Sequence, residues 1–160
     1  MTQYIVDLGL GNVFAFLGAA LAFLLAGIGS SIGVSIAGQA GSGVVAEDTD
    51  KFVNVMILEA LPSTQGIYGF VIAFMIISKI TAAGAGGLDI PSGVYLLMAA
   101  LPMGIVGMFS AIYQGKVAAA SIGIVAKRSQ DMVKGIILTL MVELFAIFAI
   151  LVSILMIGRV

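Results

Sequence analysis

Ile136–Gly158 reads IILTLMVELFAIFAILVSILMIG, with one charged residue, Glu143, inside it. A helix needs about 20 apolar residues to cross a bilayer, so this run is long enough. A carboxylate placed there costs roughly 2.5–3.5 kcal/mol on insertion scales. It persists only where a proton, a cation or a partner side chain satisfies it. Such a residue is read first as an ion or proton site.

Outward from this run, the whole chain reads as membrane protein. It is 61% hydrophobic and only 9% charged, against roughly 25% charged in a soluble domain. No stretch between the apolar runs is long enough for a soluble domain. The net charge of -1 gives no reason to expect nucleic acid. Without Cys or His, disulfides, thiol chemistry and the usual zinc or haem sites are excluded. Met1-Thr2-Gln3-Tyr4 lacks the basic start of a signal peptide, so the first apolar run is expected to remain as a helix.

Four apolar runs cover about residues 12–45, 52–80, 92–125 and 132–158. The breaks are Glu47–Lys51, the Gly/Pro-rich Gly84–Pro91, and Lys127–Asp131. The fold class is therefore an all-α membrane protein of four transmembrane helices. Lys51, Lys127, Arg128 and Lys134 flank the first and third breaks. The positive-inside rule places the charged loops 46–51 and 126–134 in the cytoplasm and both termini on the opposite side.

A shift of 80 residues aligns the two halves without a gap. Ala19-Ala20-Leu21 falls on Ala99-Ala100-Leu101, Gly27 and Ser30 on Gly107 and Ser110, and Ile57-Leu58 on Ile137-Leu138. The chain is two fused helical hairpins, 1–82 and 83–160, inserted in parallel. Inverted-repeat transporters need opposite orientations. Small residues recur every fourth position in Gly107, Ala111, Gly115, Ala119 and Gly123, and in Gly29, Gly33, Ala37 and Gly41. Such rows let helix backbones approach closely. They serve either packing within one bundle or a tight inner ring of first and third helices from several copies.

Depth brings the polar residues together. Glu143 lies 14 residues past Ser129; Thr64 and Gln65 lie 15 and 16 past Thr49; Gln114 lies 15 before Ser129. At about 1.5 Å per residue all four share one level, roughly 21–24 Å from the turns. A hydroxyl, two amide carbonyls and a carboxylate form an oxygen set suited to a hard cation. Tyr68, one turn from Thr64, can donate to the carboxylate. Pro62 lacks an N–H and bends its helix, which can turn the Leu61 carbonyl toward the cation. Each residue also has a plainer reading. Thr64 can bond back to its own helix, Gln65 and Gln114 can be interhelical glue, Tyr68 can be core, and Glu143 can be a structural carboxyl paired with a Gln. In the repeat Glu143 falls on Ser63 and Gln114 on Val34, so there is one ionisable site per four helices.

The chain resembles the duplicated proteolipid, the rotor-ring subunit, of rotary V-type and A-type ATPases. The resemblance rests on Gly27-Ile28-Gly29-Ser30-Ser31-Ile32-Gly33, Leu61-Pro62-Ser63-Thr64-Gln65-Gly66-Ile67-Tyr68-Gly69, Tyr113-Gln114-Gly115-Lys116-Val117-Ala118-Ala119-Ala120 and Met141-Val142-Glu143. It is most similar to the sodium-translocating bacterial branch, subunit K. The resemblance implies Na⁺ held by Glu143, Gln114, Gln65, Thr64 and the Leu61 carbonyl, with Tyr68 bonding the glutamate. It also implies a ring of identical subunits in the bilayer and a stator subunit supplying an arginine. A central-stalk subunit is implied at the cytoplasmic loops, and a carrier role without catalysis. Leu144, where many relatives have Thr, and Glu59, where they commonly have Gln, depart from the pattern. Two other readings stand beside this one: a ring that carries only protons, and a stand-alone four-helix channel or transporter. Glu59 is expected to be a buried or interfacial, hydrogen-bonded carboxyl that carries no ion.

Overall fold

The structure, a computed structural model, describes residues 9–160; the reading of Met1–Tyr4 lies outside them. Among the described residues there are four helical spans and no strand. The first is one helix, α1 (Leu10–Glu47). The second is α2 (Phe52–Ala60) and α3 (Thr64–Ala82), joined by a 3₁₀ turn at Leu61–Ser63. The third is α4 (Ile90–Leu101) and α5 (Gly107–Lys127), joined by a π-helical turn at Pro102–Val106. The fourth is α6 (Met132–Ile157). All four are long and apolar enough to cross a membrane, and the chain is a multi-pass membrane protein. The 38 residues of α1 extend about 57 Å, well beyond a hydrocarbon core of about 30 Å.

The charged turns are tighter than the expected loops 46–51 and 126–134. Asp48 (φ -149°, ψ 100°) and Arg128 (φ -148°, ψ 87°) are the extended residues, and a 3₁₀ turn follows each, at Thr49–Lys51 and Ser129–Asp131. Charge marked these segments as solvent-facing, but charge does not break a helix. The Asp48 carboxylate accepts from the Asp50 N–H at 3.1 Å and so begins the next helix at once. Lys51 bonds Asp48 and also donates to the Ala126 carbonyl at 2.7 Å, which ties the first turn to the end of α5.

At the opposite end, Gly84–Asp89 is a true connection. Gly87 sits at φ 65°, where a Cβ is disfavoured. Asn12 of α1 accepts the Leu88 N–H at 2.9 Å and pins the loop. Asp89 caps α4 by accepting the Ser92 N–H. Hydrogen bonds from Ser92, its side chain and then its backbone, hold the exposed Asp89 carboxyl below the usual carboxylate range.

The first and third spans make the most extensive contact; the second span lies on the first and the fourth on the third. Gly33 and Gly115 meet backbone to backbone, Gly29 meets the Met108 backbone, and a Cβ on Gly18 would lie 2.8 Å from Leu97 Cα. The small-residue rows thus set how closely the two inner helices pack. Two apolar clusters result. One, including Ala22, Ile72, Leu96 and Ala146, lies toward the Gly84–Asp89 end. The other, including Ala37, Leu58, Ile122 and Val125, lies toward the charged turns. The buried polar side chains Gln65, Gln114 and Glu143 sit between them.

Candidate ion-binding site

The 3₁₀ turn at Leu61–Ser63 starts the site. Pro62 offers no N–H, so the helix tightens there and restarts at Thr64. The Leu61 carbonyl accepts the Thr64 N–H and lies 3.0 Å from Thr64 Oγ1, which is 3.3 Å from Gln65 Oε1. Three oxygens from about one turn of the span, of Leu61, Thr64 and Gln65, are thereby grouped. The restart also frees N–H groups of α3, and Ser30 of α1 accepts one of them, from Gly66, at 2.8 Å.

From this cluster a hydrogen-bonded chain runs to the fourth span. Gln65 Nε2 donates to Gln114 Oε1 at 2.6 Å and to Ser110 Oγ at 3.3 Å. Gln114 Nε2 donates to the Thr139 carbonyl at 3.2 Å and reaches Glu143 Oε2 at 3.4 Å. Tyr68 donates its hydroxyl proton to Glu143 Oε1 at 2.6 Å. Gln65 and Gln114 are fully buried and Glu143 is 6% exposed. Among the described residues, no buried side-chain nitrogen or oxygen lacks a partner. The ion pairs there all belong to the charged turns, and none neutralises Glu143.

All six residues expected from the sequence, Leu61, Thr64, Gln65, Tyr68, Gln114 and Glu143, therefore fall in one network. The plainer readings have their part in it. Thr64 bonds back to its own helix, and Glu143 is paired with a glutamine. Tyr68 bonds the carboxylate instead of serving only as core. Ser110 joins this network although counting by depth misses it, and its match to Ser30 is a signal: both serines reach from the first or third span to the backbone of a neighbouring one. Ser110 donates to the Val142 carbonyl at 3.1 Å while receiving Gln65.

Glu59 matches its expectation in part. It is half-buried and lies against α1, where a Cβ on Gly38 would meet its Oε1 at 2.6 Å. The close face it shares with Gly66 packs on α1, with Gly66 against Ser30. The expected hydrogen bond is not formed among the described residues. Glu59 instead borders an open groove of about 630 Å³ with Val34, Gly41, Val45, Val55 and Ser63.

Paired hairpins around a carboxylate, Glu143, that is the one buried among the described residues define the membrane proteolipids that bind an ion within the bilayer. The chain belongs to the ATP synthase C-subunit family, whose model matches residues 17–76 and again 97–156, the same 80-residue displacement. It is 41% identical over 157 residues to the V-type sodium ATPase subunit K of Enterococcus hirae, covering 98% of each chain. It is 37% identical over 144 residues to the A-type ATP synthase subunit K of Methanocaldococcus jannaschii, covering 90% of this chain and 61% of that one.

Proposed function

We propose that this chain is the ion-carrying rotor-ring subunit of a rotary ATPase and that its cargo is Na⁺. The observation that carries this reading is the oxygen-rich hydrogen-bonded network around the buried Glu143 carboxylate. One carboxylate with neutral oxygens is balanced by one monovalent cation, which leaves an uncharged unit able to pass hydrocarbon. A divalent ion would leave a net positive charge. A proton would need the carboxyl alone, so the neutral oxygens of Leu61, Thr64 and Gln65 favour sodium. The Enterococcus hirae relative is named for sodium, in agreement with this reading.

In this scheme Glu143, Gln114, Gln65, Thr64 and the Leu61 carbonyl hold the ion, and Tyr68 orients the carboxylate. Copies form a ring from hairpins 1–82 and 83–160. An arginine on a stator subunit displaces the ion as each Glu143 passes. The charged turns face the cytoplasm, where a central-stalk subunit seats on them, and the termini lie on the other side. ATP hydrolysis or synthesis belongs to other subunits.

A hydrophobic carbodiimide modifies only a protonated carboxyl. Glu143 in the purified assembly is expected to react when Na⁺ is absent and to be protected when Na⁺ is added, with the adduct mapped by mass spectrometry. Labelling indifferent to Na⁺ would remove sodium from the scheme and leave the proton.

A further inference from the structure

A glutamine amide has two ends of similar shape and opposite chemistry, an oxygen that accepts and an N–H₂ that donates. Only the oxygen can hold a cation. The site therefore works only if Gln65 turns its oxygen toward Leu61 and Thr64. Burial does not choose between the two ends; partners on other spans do.

Ser110 of α5 is one of them. A hydroxyl has a single proton to give. Ser110 gives it to the Val142 carbonyl of α6, at 3.1 Å, and a carbonyl can only accept. The Ser110 oxygen lies 3.3 Å from Gln65 Nε2. It is left as an acceptor and requires an N–H from Gln65. Gln114 imposes the same direction. Its Nε2 is committed to the Thr139 carbonyl at 3.2 Å and to Glu143 Oε2 at 3.4 Å, so its Oε1 turns to Gln65 Nε2, at 2.6 Å. Both N–H bonds of the Gln65 amide are then used. Gln65 Oε1 is left 3.3 Å from Thr64 Oγ1, which is itself 3.0 Å from the Leu61 carbonyl. A reversed amide would set its oxygen against the Ser110 and Gln114 oxygens and its N–H₂ against the cation. Ser110 is 5% exposed and Gln65 is fully buried, so water is a poor substitute for either partner.

The direction thus begins in the backbone of the helix that carries Glu143. It comes from carbonyls one turn and one residue before that glutamate, and reaches the second span through Gln114 and Ser110. Ser30, 80 positions before Ser110, behaves differently. It faces the helix restarted after the Leu61–Ser63 turn and accepts the Gly66 N–H at 2.8 Å. Ser110 faces the unbroken α6 and donates. The same residue takes the opposite role because its neighbour offers a carbonyl where Ser30 finds an N–H.

We propose that Ser110 is a positioning residue for the cation site. Without touching the ion, its hydroxyl aligns the Gln65 amide with the oxygen inward. This role rests on the sodium reading and deepens it. Ser110 sets how well Na⁺ is held and leaves the chemistry of Glu143 itself unchanged.

Carbodiimide labelling of the purified assembly at one pH gives two quantities. The rate without Na⁺ reads Glu143, and the Na⁺ concentration that halves this rate reads the site. Ser110→Ala is expected to raise the half-protecting concentration about three- to tenfold, the range for one hydrogen bond, with the Na⁺-free rate within about twofold. Ser110→Thr keeps the hydroxyl, and its methyl has room in an apolar groove of about 420 Å³ that Ser110 lines with Phe109, Tyr113, Val142 and Phe145. It is expected to restore protection. In a Gln65→Ala background there is no amide to align, so adding Ser110→Ala is expected to change the half-protecting concentration by less than about twofold. A full effect in that background means that Ser110 acts by fixing α6, and overturns the proposal. So does a Na⁺-free rate that shifts as far as the protection, or protection equal in Ser110→Ala and the unaltered chain. Labelling of the unaltered chain that Na⁺ never slows is a separate result; it overturns the sodium reading and this role with it. Solid-state NMR of the unaltered assembly needs no variant. With ¹⁵N in glutamine side chains and ¹³C at serine β-carbons, a cross-peak between Gln65 Nε2 and Ser110 Cβ is expected. A visible Gln65 Nε2 resonance without that cross-peak overturns the alignment.

Discussion

Tyr68 is the residue whose chemistry the geometry fixes most tightly. Its hydroxyl sits 2.6 Å from a carboxylate that is almost wholly out of solvent. A hydrogen bond to a charged group contributes about 1.5–3 kcal/mol. Tyr68→Phe removes that bond and keeps the ring, so Na⁺ affinity is expected to fall by about 10- to 150-fold with assembly unchanged. Equilibrium ²²Na⁺ binding to the purified assembly measures it, and an unchanged affinity would show the hydroxyl to be a bystander. The two carboxylates at membrane depth should separate cleanly. Glu143 is embedded in donors from two other spans, whereas Glu59 borders a groove and lies over Gly38. Glu59→Gln is expected to retain near-normal ATP-driven ²²Na⁺ uptake in vesicles, and Glu143→Gln to abolish it. Both changes keep size and hydrogen-bonding capacity, so the comparison isolates charge. Loss of transport in Glu59→Gln with an intact assembly would give Glu59 a place in the ion path.

At the scale of elements, the spans were legible because hydrophobic run length and helical rise are local properties. The shared depth of Thr64, Gln65, Gln114 and Glu143 followed from counting along straight helices, and the hydrogen-bonded network has them together. Pro62 was legible as a disturbance for the same reason, since a missing N–H is a property of the residue. Less legible were features that depend on a neighbour. The charged turns read as loops, yet one extended residue suffices at the first because Asp48 caps the next helix. The π-helical turn at Pro102–Val106 has Pro at its start, but its support comes from another span. Ser153 of α6, fully buried, accepts the Met103 N–H at 3.2 Å. Nothing in the spacing of Met103 and Ser153 announces that pairing. Ser153→Ala withdraws the acceptor inside a closed core and is expected to destabilise the fold by about 1–3 kcal/mol. The Met103 amide should then exchange faster in hydrogen–deuterium exchange, while Na⁺ affinity, set by residues on the other side of the turn, stays within about twofold. Unchanged exchange at Met103 would mean that the helix ladder alone holds this turn.

For the whole molecule, the decisive asymmetry is that two hairpins related by an 80-residue displacement hold one carboxylate embedded in hydrogen-bond donors, Glu143. The displaced position of Glu143 is Ser63, and a glutamate there would restore the charge. It would not restore the site, since the displaced positions of Thr64, Gln65 and Tyr68 are Leu144, Phe145 and Phe148, and that of Gln114 is Val34. None of these side chains offers an oxygen. A carboxylate at 63 would face apolar groups at hydrocarbon depth, which costs roughly 2.5–3.5 kcal/mol, so it would stay protonated or weaken the assembly. Ser63→Glu is therefore expected to leave the stoichiometry at one Na⁺ per 160-residue chain and to lower the thermal dissociation midpoint of the assembly. Saturation binding of ²²Na⁺, normalised to chain by quantitative amino-acid analysis, reads the first; native mass spectrometry during heating reads the second. Two bound ions per chain would mean that a lone carboxylate suffices and that the oxygens around Glu143 are not what selects sodium. One ion per chain with an undisturbed assembly would mean that water reaches position 63 and hydrates the added carboxylate.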